Sequence, residues 1–85
     1  MKKKIHVEYY AILREQRGVD KETVETDAKT AKEFYGELKR KHGFTLGIER
    51  LQLAVNDEFC EWKTSLKSGD QVIFIPPVAG GSLIA

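Results

Sequence analysis

The chain has 85 residues, of which 41% are apolar and 32% are charged, and this composition predicts one small globular domain with a modest core. Its 14 basic residues nearly balance its 13 acidic ones, so the net charge favours neither a nucleic acid nor an anionic membrane as a partner. A single cysteine excludes an internal disulfide, and no apolar run is long enough to span a bilayer or to act as a secretory signal. We therefore expect a cytoplasmic protein.

The first third of the chain predicts two strands. KIHVEYY at 4–10 alternates Ile5, Val7 and Tyr9 with polar side chains, which is the period of a strand buried on one face. AILREQRGVD at 11–20 predicts either a short helical turn or a loop. KETVET, which follows, alternates again, and we expect it to pair with the first strand as in a hairpin.

The segment TAKEFYGELKRKHG at 30–43 predicts the main helix. Thr30 precedes Glu33 by three residues, which is the spacing of a capping box. One face of this helix is apolar and carries Ala31, Phe34, Tyr35 and Leu38. Gly36 weakens the helix by about 1 kcal/mol relative to alanine. The basic last turn and Gly43 mark the C-terminal end.

The remaining chain predicts three further strands. LQLAVN at 51–56 alternates, and NDE turns the chain into FCEW at 59–62, a short fourth strand. The last strand, at 71–75, is apolar on both faces, as is typical of a central strand. One helix on one face of a small mixed sheet is an α+β roll, and we expect the first and last strands to be parallel central neighbours.

A single helix can cover only one face of such a sheet. Val72 and Phe74 lie on one face of the last strand, and Ile73 and Ile75 lie on the other. If the first and last strands are central, Ile73 and Ile75 face away from the helix. Either a loop or the side chain of Trp62 covers them, or they form a patch that binds a partner.

The sequence predicts no active site within this chain. It has no arguable Ser-His-Asp arrangement, no paired carboxylates in an obvious cleft, no phosphate-binding glycine loop, and no metal-ligand spacing among His6, His42 and Cys60. We expect no bound metal or cofactor. Cys60 is interpreted as a small, half-buried apolar side chain rather than as a reactive thiol.

The C-terminal segment PPVAGGSLIA combines two backbone constraints. Pro76 and Pro77 fix φ, end the last strand and project the following residues as a semi-rigid lead. Gly80 and Gly81 allow the backbone to enter a slot that is too narrow for a side chain. We expect a domain at 1–77 and a flexible tail at 78–85 that delivers a backbone group into an enclosed site. A carboxylate at Gly81 needs activation before it reacts, for example as an acyl adenylate made from ATP by another protein.

Over its whole length the sequence resembles the ubiquitin-like β-grasp sulfur carriers, and among them the small subunits of molybdopterin synthase. The resemblance rests on KIHVEYYAILRE, on LAVNDEFCEW and above all on SLKSGDQVIFIPPVAGG. The form GDxVxFxPPVAGG points to the molybdopterin branch rather than to the carriers of thiamine synthesis. The resemblance implies an α+β fold of the β-grasp type.

The resemblance also implies a cycle in the sites of two partner proteins. A ubiquitin-activating-like adenylyltransferase uses ATP to adenylate Gly81, and a sulfur donor converts the adenylate to a thiocarboxylate. The tail then enters the large subunit of molybdopterin synthase, where the sulfur passes to cyclic pyranopterin monophosphate in molybdenum cofactor biosynthesis. Gly81 carries the sulfur, Gly80 provides clearance, Pro76 and Pro77 orient the tail, and this chain itself is a non-catalytic subunit. The implied partner interface comprises Ile73, Phe74, Ile75 and Val78, of which the first three are candidates for either the partner contact or the core beneath it.

The sequence departs from this family after the second glycine, where members typically end. Here Gly81 is followed by Ser82, Leu83, Ile84 and Ala85. While Ser82 is attached, Gly81 has an amide and no carboxylate to adenylate. Three explanations remain open: a peptidase removes residues 82–85, the extension keeps this copy inactive, or the chain serves another sulfur-transfer pathway.

Two functions without sulfur transfer also remain open. The chain could be a binding module that docks through the open sheet face and the apolar end LIA. It could also be a ubiquitin-like modifier, joined through Gly81 to a lysine of a target. Replacement of Gly81 distinguishes a carrier from a docking module, and an isopeptide bond identifies a modifier.

Overall fold

The computed structural model describes residues 2–77. The strands and α-helices of this part are, in chain order, β1 (Lys3–Tyr9), α1 (Ile12–Arg17), β2 (Lys21–Thr26), α2 (Ala31–His42), β3 (Gln52–Val55), β4 (Glu58–Phe59) and β5 (Gln71–Ile75). A short 3₁₀ turn at Ile48–Arg50 precedes β3. The segment for which the sequence predicts either a helical turn or a loop is helical, and Gly18 ends it with a φ of 92°.

The described strands form one mixed sheet in the order β2-β1-β5-β3-β4. β1 runs parallel to β5, with Val7 opposite Val72 and Tyr9 opposite Phe74. β2 is antiparallel to β1, and β3 is antiparallel to both β5 and β4. The predicted α+β roll, the central position of the last strand and its parallel pairing with the first are therefore confirmed.

Helix α2 begins and ends at the residues that the sequence predicts. The hydroxyl of Thr30 accepts a hydrogen bond from the backbone N–H of Glu33 at 3.2 Å. The carboxylate of Glu33 accepts from the backbone N–H of Lys29 at 2.8 Å, one residue before the position that a capping box uses. At the other end Gly43 adopts a φ of 72°, and its N–H donates to the carbonyl of Lys39. These contacts satisfy backbone groups that a helix leaves free at its ends.

The core lies between α2 and the face of the sheet that α2 covers. The buried side chains of this core are Ile5, Val7, Tyr9, Leu13, Ala28, Ala31, Phe34, Tyr35, Leu38, Phe44, Leu51, Leu53, Leu66, Val72 and Phe74. Aromatic rings dominate its centre, where the ring of Tyr35 lies 5.0 Å from that of Phe74. Each large side chain buried in this way contributes about 1.5–3 kcal/mol relative to an exposed one.

The segment between β4 and β5 passes along the N-terminal end of α2. The backbone N–H of Ala31 donates to the carbonyl of Thr64 at 3.0 Å, and that of Lys32 donates to the carbonyl of Trp62 at 2.9 Å. The indole ring of Trp62 stacks on Phe74 with centroids 5.9 Å apart and an angle of 5° between the planes. Trp62 therefore lies on the helix side of the sheet, and the interpretation that it covers the opposite face is wrong.

Strand β4 is shorter than predicted. The sequence indicated a strand at 59–62, whereas the ladder contains only Glu58 and Phe59. The preceding turn consists of Asn56 and Asp57, whose φ angles of 53° and 71° are left-handed, as a two-residue hairpin turn requires. The pairing therefore begins one residue earlier than expected, and the chain leaves the sheet after Cys60, whose N–H donates to the carbonyl of Leu53.

Candidate functional site

The C-terminal end of β5 leads directly into the diproline. β5 ends at Ile75, as predicted, and is followed by Pro76, which is buried, and Pro77, which is exposed. We call these two prolines the leader. The other predicted tail residues, Val78, Gly80 and Gly81, lie outside the described residues, as does the segment 82–85. The structure thus fixes where the tail begins, at one end of the central strand.

Hydrogen bonds from two turns, the one before β4 and the one before β5, hold the start of β5 in place. The carboxylate of Asp70 accepts the backbone N–H of Lys67 at 2.8 Å and the side-chain amide N–H of Asn56 at 3.0 Å. The amide oxygen of Asn56 in turn accepts the backbone N–H of Gln71 at 2.9 Å. Gly69 adopts a φ of 94°, a conformation that suits glycine, and its N–H donates to the carbonyl of Lys4 at 2.7 Å. These bonds hold β5 in register with both neighbouring strands.

A half-buried polar network lies at the C-terminal end of β1, where Tyr9 pairs with Phe74 of β5. The carboxylate of Glu22 accepts hydrogen bonds from the hydroxyl of Tyr9 at 2.6 Å and from the guanidinium of Arg17 at 2.7 and 2.9 Å. The imidazole of His42 lies 3.9 Å from the same carboxylate. The network therefore joins β1, α1, β2 and the end of α2 close to the point at which the leader leaves the sheet.

The network shifts the ionisation of its members. The hydrogen bond from Arg17 is the main cause that lowers the pKa of Glu22, with burial acting in the opposite direction. Burial, supported by the hydrogen bond to Glu22, raises the pKa of Tyr9, so the phenol stays protonated as a donor. Burial is also the main cause that lowers the pKa of His42. Near neutral pH the network thus contains one carboxylate held by a guanidinium and a phenol.

The sheet face away from α2, which we call the open face, carries a row of apolar side chains. Ile73 of β5 pairs with Ala54 of β3, and Ala54 pairs with Phe59 of β4. Because paired residues point to the same side of a sheet, these three form a continuous line, which we call the apolar row. Ala54 is buried but does not belong to the core cluster, and Phe59 is 72% exposed.

The structure places the predicted interface residues of β5 on opposite faces of the sheet. Ile73 and Ile75 are half-buried on the open face, where a partner could reach them, and their role as partner contacts stays a prediction. Phe74 points to the other side and is 0% exposed, with its ring packed against Phe34, Tyr35 and Trp62. The prediction that Phe74 contacts a partner is wrong, because alternate residues of a strand face opposite sides.

Phe59 is a member of this surface that was not predicted from the sequence. β4 contains only two paired residues, so no alternation in the sequence shows which of its side chains points outward. The available signal was the Asn56-Asp57 turn, which sets the register of Phe59 opposite Ala54. Phe59 is the most exposed large apolar side chain among residues 2–77.

The remaining candidate residues do not form a site with one another. Cys60 is half-buried at the end of β4, and His6 is exposed on β1, where its Nδ1 lies 2.9 Å from the hydroxyl of Thr23. Within the described part of the chain, no three side chains of His, Cys, Asp or Glu are close enough to hold a metal ion. Neither helix between residues 2 and 77 has the length and apolar content that a membrane span requires.

Comparison with known proteins identifies the family to which this arrangement of strand, diproline and glycine pair belongs. The model of the ThiS family matches residues 7–81. The chain belongs to the ThiS family. The match ends at Gly81, so residues 82–85 lie beyond the part that the family model describes.

Relatives within this family point to the molybdopterin branch. The chain is 34% identical to the molybdopterin synthase sulfur carrier subunit of Haemophilus influenzae over 80 residues, which cover 91% of this chain and 99% of the relative. The structure is similar to that of a Pyrococcus furiosus protein classed as molybdopterin converting factor subunit 1, with a TM-score of 0.73 and 31% identity over 89% of this chain and 99% of the other. The resemblance stated from the sequence is confirmed.

A third comparison concerns a complex. The structure resembles one chain in the complex of subunits 1 and 2 of the molybdopterin-converting factor from Helicobacter pylori, with a TM-score of 0.62 and 28% identity. The similarity covers 92% of this chain and 99% of the other. These comparisons establish the β-grasp fold and the sulfur-carrier family.

Proposed function

We propose that this chain is the sulfur-carrying small subunit of molybdopterin synthase, and that Gly81 carries the sulfur as a thiocarboxylate once residues 82–85 have been removed. The observation that carries the proposal is the position of the leader. β5 lies at the centre of the sheet with pairing on both sides and passes without a break into Pro76 and Pro77. A central strand held in this way aims the following segment away from the domain in a fixed direction.

The tail suits a reaction at a backbone carboxyl group. After cleavage, the Gly81 carboxylate attacks the α-phosphorus of ATP and pyrophosphate leaves, which gives an acyl adenylate. A donor at the oxidation level of sulfide then attacks the acyl carbon and AMP leaves, so that a C–S bond replaces a C–O bond. Transfer of this sulfur to cyclic pyranopterin monophosphate and hydrolysis of the acyl group return the carboxylate. Gly80 and Gly81 provide the clearance that the enclosed sites of the two partners demand.

The proposal assigns the remaining parts of the surface to partners. The open face, with Ile73, Ile75 and Phe59, docks on the large subunit of the synthase, and similarity to one chain of the Helicobacter pylori complex supports such a partner. A ubiquitin-activating-like adenylyltransferase supplies the ATP chemistry, and a peptidase removes residues 82–85. The chain itself binds no cofactor and acts in the cytoplasm. Cys60 has no role in carrying the sulfur, since the sulfur is bonded to a carboxyl carbon.

The experiment measures the intact mass of the chain ending at Gly81 after incubation with ATP, a sulfide donor and the cognate activating enzyme. We expect a product in which one carboxylate oxygen has been exchanged for sulfur. The chain ending at Ala85 should remain uncharged under the same conditions unless a peptidase is added. Absence of charging of the chain ending at Gly81 would contradict the proposal.

Substitution of the glycine sharpens this test. Gly81→Ala places a methyl group where the tail needs clearance, so we expect loss of charging with an unchanged free energy of unfolding, because residue 81 follows the domain. Ala79→Gly is the matched control, which changes one methyl group two residues earlier and should charge normally. Equal charging of both variants would contradict the assigned role of Gly81.

The open face also supports a second candidate function, that of a binding module without sulfur transfer. The observation in its favour is the exposure of Phe59 on the apolar row. For such a module, Ile75→Asp should abolish partner binding while Gly81→Ala leaves it intact. A sulfur carrier of another pathway, such as thiamine synthesis, would form the thiocarboxylate at Gly81 but would not transfer its sulfur to cyclic pyranopterin monophosphate.

A further inference from the structure

The two edges of the sheet differ in how much of each is available for pairing. β4, at one edge, has only two paired residues, and the chain that follows it passes along α2. β2, at the other edge, has six residues paired with β1, and no other strand of residues 2–77 lies on its outer side. A long edge of this kind is where a further strand can add to a sheet.

The hydrogen bonds of β1 show which residues of β2 point outward. The N–H of Tyr9 donates to the carbonyl of Asp20, on the β2 side, whereas the N–H of His6 donates to the carbonyl of Asp70, on the β5 side. In an antiparallel pair these directions alternate from one residue to the next. The residues of β2 whose N–H and C=O groups point away from β1 are therefore Lys21, Thr23 and Glu25.

The side chains of these three residues are exposed and lie on the open face, opposite the polar residues of β1. Lys21 and Glu25 stand two residues to either side of Thr23 and carry opposite charges. Neither forms an ion pair with another of residues 2–77. The outward edge of β2 thus runs from positive to negative about a neutral centre.

A second copy of the chain complements this edge in one antiparallel register. With Thr23 opposite Thr23, Lys21 of each copy lies opposite Glu25 of the other. The three pairs exchange all their outward N–H and C=O groups, and two opposite-charge pairs form on the open face. A shift by two residues in either direction loses both of these charge pairs, and a parallel copy in register brings like charges together.

We propose that β2 pairs antiparallel with β2 of a second copy, centred on Thr23, and that the chain forms a symmetric homodimer with one continuous sheet. A contact between identical antiparallel strands is isologous, so it closes at two copies. β1 separates β2 from β5, so the pairing leaves β5 and the leader of each copy uncovered. The inference does not rest on the proposed function.

The charges of this edge also have opposite charges across from them within the chain. Glu8 pairs with Lys21, and Lys4 pairs with Glu25, in the ladder between β1 and β2. Such exposed cross-strand pairs contribute about 0.2–1 kcal/mol each to the stability of one copy. The test therefore has to separate an effect within one copy from an effect between two copies.

The test is sedimentation velocity of the full chain at low ionic strength, over concentrations from about 10 µM to about 1 mM. We expect a monomer–dimer equilibrium within this range. Lys21→Glu makes the edge doubly negative, and Glu25→Lys makes it doubly positive. Each variant exchanges two opposite-charge pairs for two like-charge pairs, so each should weaken self-association by about tenfold or more.

An equimolar mixture of the two variants is the decisive sample. The doubly negative edge of one variant and the doubly positive edge of the other restore both charge pairs, so the mixture should dimerise as the parent does. A change of stability within each copy cannot produce this recovery. Lys63→Glu is the matched control, since it makes the same change of charge at an exposed lysine beyond β4, and it should dimerise like the parent.

Amide hydrogen exchange of the parent gives a second measurement at single residues. The N–H of Thr23 should exchange freely in dilute samples and become protected in concentrated ones, because only a second copy provides its acceptor. The N–H of Val24, which points towards β1, should be protected in both.

Three outcomes would overturn the proposal. The first is a parent that stays monomeric at about 1 mM. The second is self-association of both charge variants at the affinity of the parent, which means that another surface forms the dimer. The third is a mixture of the two variants that stays monomeric, which means that Lys21 and Glu25 do not lie opposite each other. No step of this test involves Gly81 or sulfur, so its result is independent of the proposed function.

Discussion

The two faces of β5 differ in what surrounds them, although their side chains alternate along one strand. Phe74 is fully buried among aromatic rings beneath α2, whereas its neighbour Ile73 lies half-buried on the open face beside Ala54. One strand therefore provides the centre of the core and, on the open face, part of the surface that the proposed function assigns to a partner. The two faces thus separate a buried core residue from a residue that the proposed function assigns to recognition, so substitutions one position apart should have different effects.

The largest effect on stability is expected from Phe74→Ala. Removal of a fully buried ring leaves a cavity among Phe34, Tyr35 and Trp62, and such changes cost about 3–5 kcal/mol of unfolding free energy. Chemical denaturation followed by circular dichroism measures this loss. Ile73→Ala is the matched control on the adjacent residue and should cost less than half as much. Equal losses would show that the two faces do not differ as the structure indicates.

An intermediate loss of stability is expected from Glu22→Gln, which breaks the polar network that Glu22 forms with Tyr9 and Arg17. Loss of the charge-assisted bonds to Arg17 and Tyr9 should lower the free energy of unfolding at neutral pH by about 1.5–3 kcal/mol. Because the folded-state pKa of Glu22 is lowered, its contribution is present above the unfolded pKa, about 4.3, and is lost as the pH falls through the lower folded value.

The measurement for this variant is a series of denaturation curves between neutral and strongly acidic pH. The parent and Glu22→Gln should differ most near pH 7 and converge in acid. Glu25→Gln, an exposed glutamate on the same strand, is the control and should cause little change at any pH. A difference between parent and Glu22→Gln that stays constant down to strongly acidic pH would exclude the ion pair as its cause.

The smallest effect on stability is expected from Phe59→Ser on the open face. The side chain is 72% exposed, so the unfolding free energy should change by no more than about 0.5 kcal/mol. Binding of the chain that ends at Gly81 to the large synthase subunit should nevertheless weaken by about tenfold or more, as calorimetry can measure. Val19→Ser, at a residue that is 39% exposed and outside the apolar row, should leave binding unchanged. If Phe59→Ser lowers the free energy of unfolding but leaves the affinity for the large subunit unchanged, Phe59 stabilises the fold and does not contact the partner.

Elements whose ends or pairing are set by residues close in the sequence were predictable from the sequence. Thr30 with Glu33 and the glycine at position 43 delimit α2 through bonds to backbone groups nearby, and these signals require no knowledge of the rest of the fold. The central position of β5 followed from its apolar character on both faces. The family followed from the motif at its end, which the ThiS match confirms.

The details that depend on packing were not predictable in the same way. An apolar ring such as Trp62 suits either side of the sheet, and only the path of residues 61–66 along α2 places it against Phe74. The exposure of Phe59 depends on a turn register rather than on composition. From the sequence, Phe74 is a candidate for either the partner contact or the core beneath it, because apolar character alone does not distinguish a core side chain from an interface side chain.

The position of β5 has a consequence for how the protein is made. It is the last of the described strands to be synthesised, yet it joins the β2-β1 pair to the β3-β4 pair in the finished sheet. A nascent chain that has not yet reached residue 75 holds two hairpin-like pairs without the strand between them, and non-local pairings of this kind form late and slowly. Every copy that has completed its sheet has therefore been translated as far as the residues that begin the tail.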